Sequence, residues 1–175
     1  LKKSKVKSCI LFVNDGSQDG SGDLIREICR RNKDFFYIGL AKNCGLSAAM
    51  KAGIDYTCSR LVGYIDADLQ TTPEDFNLLL EYTDDYELVM GIRVGRKDSL
   101  VKNMSSKVAN GFRRLMTKDG VKDTGCPLKI LHTEYAQRMP FFTGMHRFLP
   151  ALILLQQGKV KQVPVRHYPR IAEKS

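Results

Sequence analysis

Apolar residues recur along this chain in short runs, each ended by a polar turn and followed by a segment of helical spacing. Ser8-Cys9-Ile10-Leu11-Phe12-Val13 reads as a buried strand stopped by Asn14-Asp15-Gly16-Ser17. Leu24, Ile25 and Ile28 then repeat at helical spacing, from near Gly20 to about Arg31. Phe35 to Leu40 is a second expected strand, Gly45 to Cys58 a helix rich in Ala and Met, and Leu61 to Ile65 a third strand. Thr72-Pro73-Glu74-Asp75 carries helix-start chemistry: a capping Thr, Pro at the first helical position and acids in the first turn. That helix is expected to run to about Tyr82, with a strand over Tyr86 to Ile92 after it. Ser99 to Met116 reads as a long basic helix, Pro127 to Leu131 as a short strand and Thr133 to Met139 as a short helix. Arg147 to Gln156 and Val160 to Val165 supply a last helix and strand.

This alternation implies an α/β fold: a mostly parallel sheet with helices on both faces, mixed in its less regular second half. At 175 residues the chain is expected to be a single domain, 1–175. It begins on a strand with no strand–helix unit before it, so it reads as trimmed at its start. Composition changes little: 43% hydrophobic and 27% charged residues are ordinary for a globular protein. No run approaches the roughly 18 apolar residues of a membrane span, and no secretory leader is expected. Five scattered cysteines without a C-x-x-C pair argue against a zinc site or disulfide framework and fit a reducing compartment.

Charge changes the picture more. The formal net charge is +9, with Lys and Arg concentrated near the start, over Arg93 to Lys107, at Arg113-Arg114 and from Lys159 onward. Such an excess fits a phosphorylated substrate, an anionic membrane surface or a merely soluble basic face. Nucleic acid is not expected, because no motif for it is present.

The chemistry lies where strands end. Asp66-Ala67-Asp68 follows the apolar run Leu61 to Ile65. An isolated D-x-D is most often a solvated turn, but ligands of open α/β sheets bind beyond the carboxyl ends of strands. There, two carboxylates one residue apart suit a hard divalent cation, which takes one or two protein carboxylates and leaves other positions to water and phosphates. Asp15, at the first strand's end, could accept hydrogen bonds from a base or ribose, or simply form a turn before a helix. Lys42-Asn43-Cys44-Gly45 brings positive charge and a glycine to a second strand–helix junction.

These three strand ends resemble the family 2 glycosyltransferases of the GT-A fold, a Rossmann-like nucleotide-binding sheet. The matching stretches are Asp15-Gly16-Ser17-Gln18-Asp19-Gly20-Ser21, Asn43-Cys44-Gly45, and Asp66-Ala67-Asp68-Leu69-Gln70 with Pro73-Glu74. Gly91-Ile92-Arg93, Asp123-Thr124-Gly125-Cys126, His146-Arg147-Phe148-Leu149-Pro150 and His167-Tyr168-Pro169-Arg170 narrow the likeness to polyprenyl-phosphate sugar transferases, the dolichol- and undecaprenyl-phosphate types. Two departures stand out: the family's first strand is absent, and its terminal R-x-x-G-x-S-K-Y is present only as Arg170-Ile171-Ala172-Glu173-Lys174-Ser175.

The resemblance implies metal-dependent, inverting transfer of a sugar from a nucleoside diphosphate to a polyprenyl phosphate. It implies Asp68 as first metal ligand, with Asp66 and Gln70 as partners, for Mg²⁺ or Mn²⁺. Asp66 serves the metal or the donor's ribose and sugar; Asp15, Lys42 and Asn43 serve the nucleotide sugar. An acceptor phosphate is already anionic and needs cations, for which Arg93, Arg96 and Arg170 are candidates, with Lys102 and Lys174 behind them. For Arg96 and Lys102 a solvated basic face is an equal alternative. Asp123 orients sugar or acceptor, or acts as a base. Cys126 reads as a small buried thiol and not a nucleophile, and His146 and His167 as structural or interfacial. Phe141 to Pro150 mixes aromatics with Arg, as an element facing lipid headgroups would, or a helix packed on the core. The implied location is the cytoplasmic face of a membrane, held peripherally or by segments outside the chain. Extension of a cell-surface polysaccharide and nucleotide-sugar binding without turnover are the alternatives.

Overall fold

The computed structural model describes residues 2–68, 70–94, 120–121, 123–166 and 168. Six strands are found among them. β1 (Ile10–Asn14), α1 (Ser21–Arg31) and β2 (Phe35–Gly39) form the first strand–helix–strand unit, and β1 and β2 pair in parallel, Ile10 opposite Phe35. α2 (Leu46–Asp55) leads to β3 (Leu61–Tyr64). A 3-10 turn at Pro73–Asp75 runs into α3 (Phe76–Leu80), and β4 (Leu88–Val94) follows. β5 (Lys129–His132), α4 (Thr133–Gln137), α5 (Leu149–Leu155) and β6 (Val160–Arg166) complete the set.

The strands lie in two sheets where the sequence pattern implied one. β1 and β2 stand together, and the second sheet has the order β3-β5-β4-β6. In it β5 runs antiparallel to β3 and β4, while β4 and β6 are parallel. The mixed second half is therefore as expected. Because β5 is reversed, its first residue, Lys129, arrives opposite Tyr64, where β3 ends, and opposite Met90 of β4. α2 ties the sheets together on one side. The Cβ position of Gly53 lies 3.1 Å from Val13 of β1, while Met50 and Ile54 join a core of Leu88, Met90, Leu131, Met145 and Leu149.

Alternation along β4 explains the two cores. Leu88 and Met90 face that cluster, while Val89 faces the opposite one, with Leu79, Leu128, Ile130 and Val165. Both faces are covered, so the strand reads as a continuous apolar run.

Several element ends differ from expectation. The helix at Thr72 does receive its cap, Glu74 N–H donating to Thr72 Oγ1 at 3.4 Å, but its first turn is 3-10 and it stops at Leu80. The expected helix over Arg147 to Gln156 is broken: Met145–Arg147 forms a 3-10 turn, and Pro150, which has no N–H to donate, sits in the first turn of α5. The expected helix over Ser99 to Met116 lies outside the described residues. Among the described residues no helix is long and apolar enough to cross a membrane.

Candidate active site

The first strand end is tied to the second by Asp15. Its Oδ1 accepts from Cys44 N–H at 2.7 Å and its Oδ2 from Gly45 N–H at 2.8 Å. These donors lead into the first turn of α2, whose free N–H groups favour an anion. Asp15 thus holds the Lys42–Gly45 loop. Gly16 makes the approach possible: it has φ +72°, and a Cβ there would stand 2.4 Å from the Lys42 carbonyl carbon. A cavity of about 620 Å³ opens beside this junction, lined by Asn14, Gly20, Arg26, Tyr37, Lys42 and Asn43. Asp66, Asp68 and Asp123 lie outside it.

The second group gathers at the ends of β3 and β4. Tyr64, the last residue of β3, donates its hydroxyl to Asp66 Oδ1. Burial, and then the carboxylates of Asp66 and Asp68, push the Tyr64 phenol well above its ordinary range, so it stays a donor. Asp68 Oδ1 accepts the Gln70 N–H at 3.1 Å, which closes the turn after β3. The Gln70 carbonyl accepts the Tyr168 N–H at 2.9 Å, so the chain beyond β6 returns to this turn.

Arg93, on β4, meets Asp123 in a two-point fork, Nε to Oδ2 at 2.8 Å and Nη2 to Oδ1 at 2.9 Å. Both side chains are largely buried, 13% and 17% exposed. The Gly125 N–H adds a bond to Asp123 Oδ1 at 3.0 Å. Burial alone would raise the Asp123 carboxyl, but the Arg93 guanidinium and these N–H groups outweigh it and hold it below the usual range. Arg93, expected at the acceptor phosphate, is therefore already committed to a carboxylate through half its fork, leaving Nη1 outside the pair. Arg96 and Arg170, with Lys102 and Lys174, lie outside the described residues.

Charge links the groups. The Arg93 guanidinium feels Asp66 as well as Asp123. Lys129 feels Asp66, Asp123 and Arg93. His146 bonds Ser47 of α2 through Nδ1 at 2.9 Å, and Ser47 Oγ also accepts the Gly144 N–H at 3.0 Å. Burial, Arg147 and Lys129 push the His146 imidazole down against the pull of Asp66. Cys126 is fully buried and its thiol is pushed up by burial, in line with a packing role.

Sequence reasoning did not find Tyr64, Lys129 or the Ser47–His146 bond. A signal existed for Lys129, a single cation inside the run Pro127 to Leu131. Another existed for Tyr64, two residues before Asp66.

Among the described residues no group of three or more His, Cys, Asp and Glu side chains forms a ready metal cage. Two carboxylates one residue apart on a turn still fit a cation that completes its shell with water and substrate phosphates.

An α/β fold with carboxylates and cations gathered where its strands end has its ligand-binding chemistry at the place where open α/β sheets bind their ligands. The glycosyl transferase family 2 pattern matches residues 6–143, and the chain belongs to that family. It is 31% identical over 163 residues to an undecaprenyl-phosphate 4-deoxy-4-formamido-L-arabinose transferase of Edwardsiella ictaluri, covering 92% of this chain and 50% of that protein. To a dodecaprenyl-phosphate galacturonate synthase of Rhizobium johnstonii it is 30% identical over 167 residues, covering 92% and 49%. The chain thus spans about half the length of the curated relatives it matches.

Solved structures share the fold. A glucosyl-3-phosphoglycerate synthase of Mycobacterium tuberculosis, in complex with phosphoglyceric acid, superposes with a TM-score of 0.73 at 17% identity, over 97% of this chain and 62% of that one. A Pyrobaculum calidifontis mannosyltransferase, in complex with GDP-Man and Mn2+, gives 0.70 at 15% identity, over 99% and 51%.

Proposed function

We propose that this chain is the catalytic part of an inverting glycosyltransferase that moves a sugar from a nucleoside diphosphate to a polyprenyl phosphate. The observation that carries the reading is the Arg93–Asp123 pair beside Asp66. Fixed in a two-point ion pair, with its carboxyl held below the usual range, Asp123 is a weakened proton acceptor. That suits an acceptor that arrives already ionised better than a saccharide hydroxyl that must lose a proton. The identity of 30–31% to two polyprenyl-phosphate sugar transferases, over 92% of the chain, supports the same acceptor class.

In this reading an acceptor phosphate oxygen forms the new bond to the anomeric carbon as the bond to the nucleoside diphosphate breaks on the opposite face. The diphosphate leaves with the electron pair. Asp68 and Asp66, with Gln70 beside them, would hold a divalent cation, Mg²⁺ or Mn²⁺, which supplies positive charge to the leaving diphosphate when bound. Asp15 braces the nucleotide side by fixing the Lys42–Asn43 loop. Arg93, oriented by Asp123, offers Nη1 to the incoming phosphate, with Arg96 and Arg170 as further cations. The acceptor's lipid places the reaction at a membrane surface.

Radiolabelled nucleotide sugars incubated with polyprenyl phosphate and the full-length protein should give labelled lipid, and Asp68→Ala should lower that yield at least about a hundredfold. Label in water-soluble saccharide instead would overturn the acceptor, and an unchanged Asp68→Ala rate would overturn the cation's place.

A further inference from the structure

Lys129 is 3% exposed, among the most deeply placed charged groups in the described residues. The antiparallel register of β3 and β5 sets it directly opposite Tyr64. Its Nζ donates to the Cys126 carbonyl and stands 5.8 Å from the centroid of the Tyr64 ring. Among the described residues no carboxylate lies within ion-pair distance of it. A buried ammonium without a direct counter-ion costs several kcal/mol, and an apolar side chain of the same length would avoid that cost.

What surrounds Lys129 gives the charge a task. On one side the Tyr64 ring carries the hydroxyl that bonds Asp66. On the other, the Cys126 carbonyl belongs to the short segment that presents Asp123 to Arg93 and Gly125. Both carboxylates act on the ammonium through space. One buried cation therefore touches the support of the donor-side carboxylate and the support of the acceptor-side pair.

We propose that Lys129 is a positioning residue for nucleoside-diphosphate binding, holding Asp66 through the Tyr64 ring and Asp123 through the Cys126 carbonyl. The inference rests on the glycosyltransferase reading above. In this proposal Lys129 acts through these two supports and not by touching substrate, as outer-shell groups commonly act on the residues they orient.

Calorimetric titration of the protein with uridine diphosphate and with guanosine diphosphate, each with Mn²⁺, tests it. Lys129→Met is expected to weaken the bound nucleotide about tenfold while a single cooperative melting transition persists. Lys129→Arg, which keeps the cation and its donors, is expected to recover most of that loss. Tyr64→Phe removes only the hydroxyl and is expected to weaken binding as well. Combined with Lys129→Met it should cost less than the two losses added, because both act on Asp66. Full affinity in Lys129→Met would overturn the inference, as would an Arg variant that folds and binds no better than Met, or losses that simply add. Wild-type protein that binds neither nucleotide would sink the glycosyltransferase reading itself, and the inference with it.

Discussion

Arg93 and Asp123 illustrate what a residue's identity conveys and what only its neighbours reveal. Both stand out in the sequence, yet it suggests different tasks for them, because nothing local announces that side chains thirty residues apart meet in a two-point fork. The place of Asp66 and Asp68, in the turn directly after β3, is legible from the apolar run before them. Lys129 was not, because a lone Lys in an apolar run looks like the end of a strand until the register of β5 against β3 is known. Its burial makes a prediction about pH. The ammonium is pushed down from 10.5 to about 8, chiefly by burial. Below pH 8 folding must bury a charge; between 8 and 10.5 the unfolded chain binds the extra proton, so stability rises with pH through that window. The gain is on the order of 3 kcal/mol. Urea unfolding of wild type, compared with Lys129→Met at each pH, should show the wild type gaining relative to the variant from pH 8 to 10.5. A constant difference between the two would contradict it.

Elements were easier to read than their edges. Every described strand and most helices follow from apolar periodicity, but where each stops depends on local chemistry. Thr72 and Pro73 shape a 3-10 start, and Pro150 resets the helix after Arg147. How strands join is the least legible feature, because nothing in the apolar run Pro127 to Leu131 says that β5 pairs antiparallel with both β3 and β4. The β1–α1 and β2–α2 junctions show how much one turn can matter to this assembly. Gly16 has positive φ and lies against the backbone of Lys42 and Asn43, whereas Gly20 has positive φ with nothing within 4 Å of its Cβ position. Gly20→Ala should therefore cost only the left-handed backbone, about 1–2 kcal/mol. Gly16→Ala adds a steric clash that parts the two loops and breaks the Asp15 bonds to Cys44 and Gly45. Thermal melting should rank Gly16→Ala clearly below Gly20→Ala, by ~4 °C or more for a chain of this size. Equal melting temperatures would show that the loops separate without strain and that Asp15 does not brace them.

At the scale of the whole molecule, exposed apolar surface gathers in one region that also carries exposed guanidinium groups. The chain carries a formal +9. Phe141 is 55% exposed and Leu155 81%, and the rings of Phe142 and Phe148 stack obliquely at 5.9 Å between them in sequence. Arg138 and Arg147 are exposed in the same stretch. This segment is anchored to the site through the Ser47 bonds to His146 and Gly144, so whatever it rests on is held close to Asp66. A polyprenyl phosphate keeps its tail in a bilayer and offers only its headgroup, so an enzyme acting on it must bring its rim to the lipid surface. Aromatic rings and guanidinium groups together suit that interface: the rings enter the headgroup boundary, and each cation near an anionic surface adds about 1 kcal/mol. The protein should therefore sediment with vesicles containing anionic lipid and less with neutral ones, and added salt should release it as the charge is screened. Phe141→Ser combined with Phe148→Ser should weaken vesicle binding at every salt concentration while leaving nucleotide affinity in solution unchanged, because neither ring contributes to the carboxylate rim. If the double variant binds vesicles as well as wild type, the contact lies elsewhere on the basic surface, and the Phe141–Pro150 segment is a core-packing element with its rings left in water.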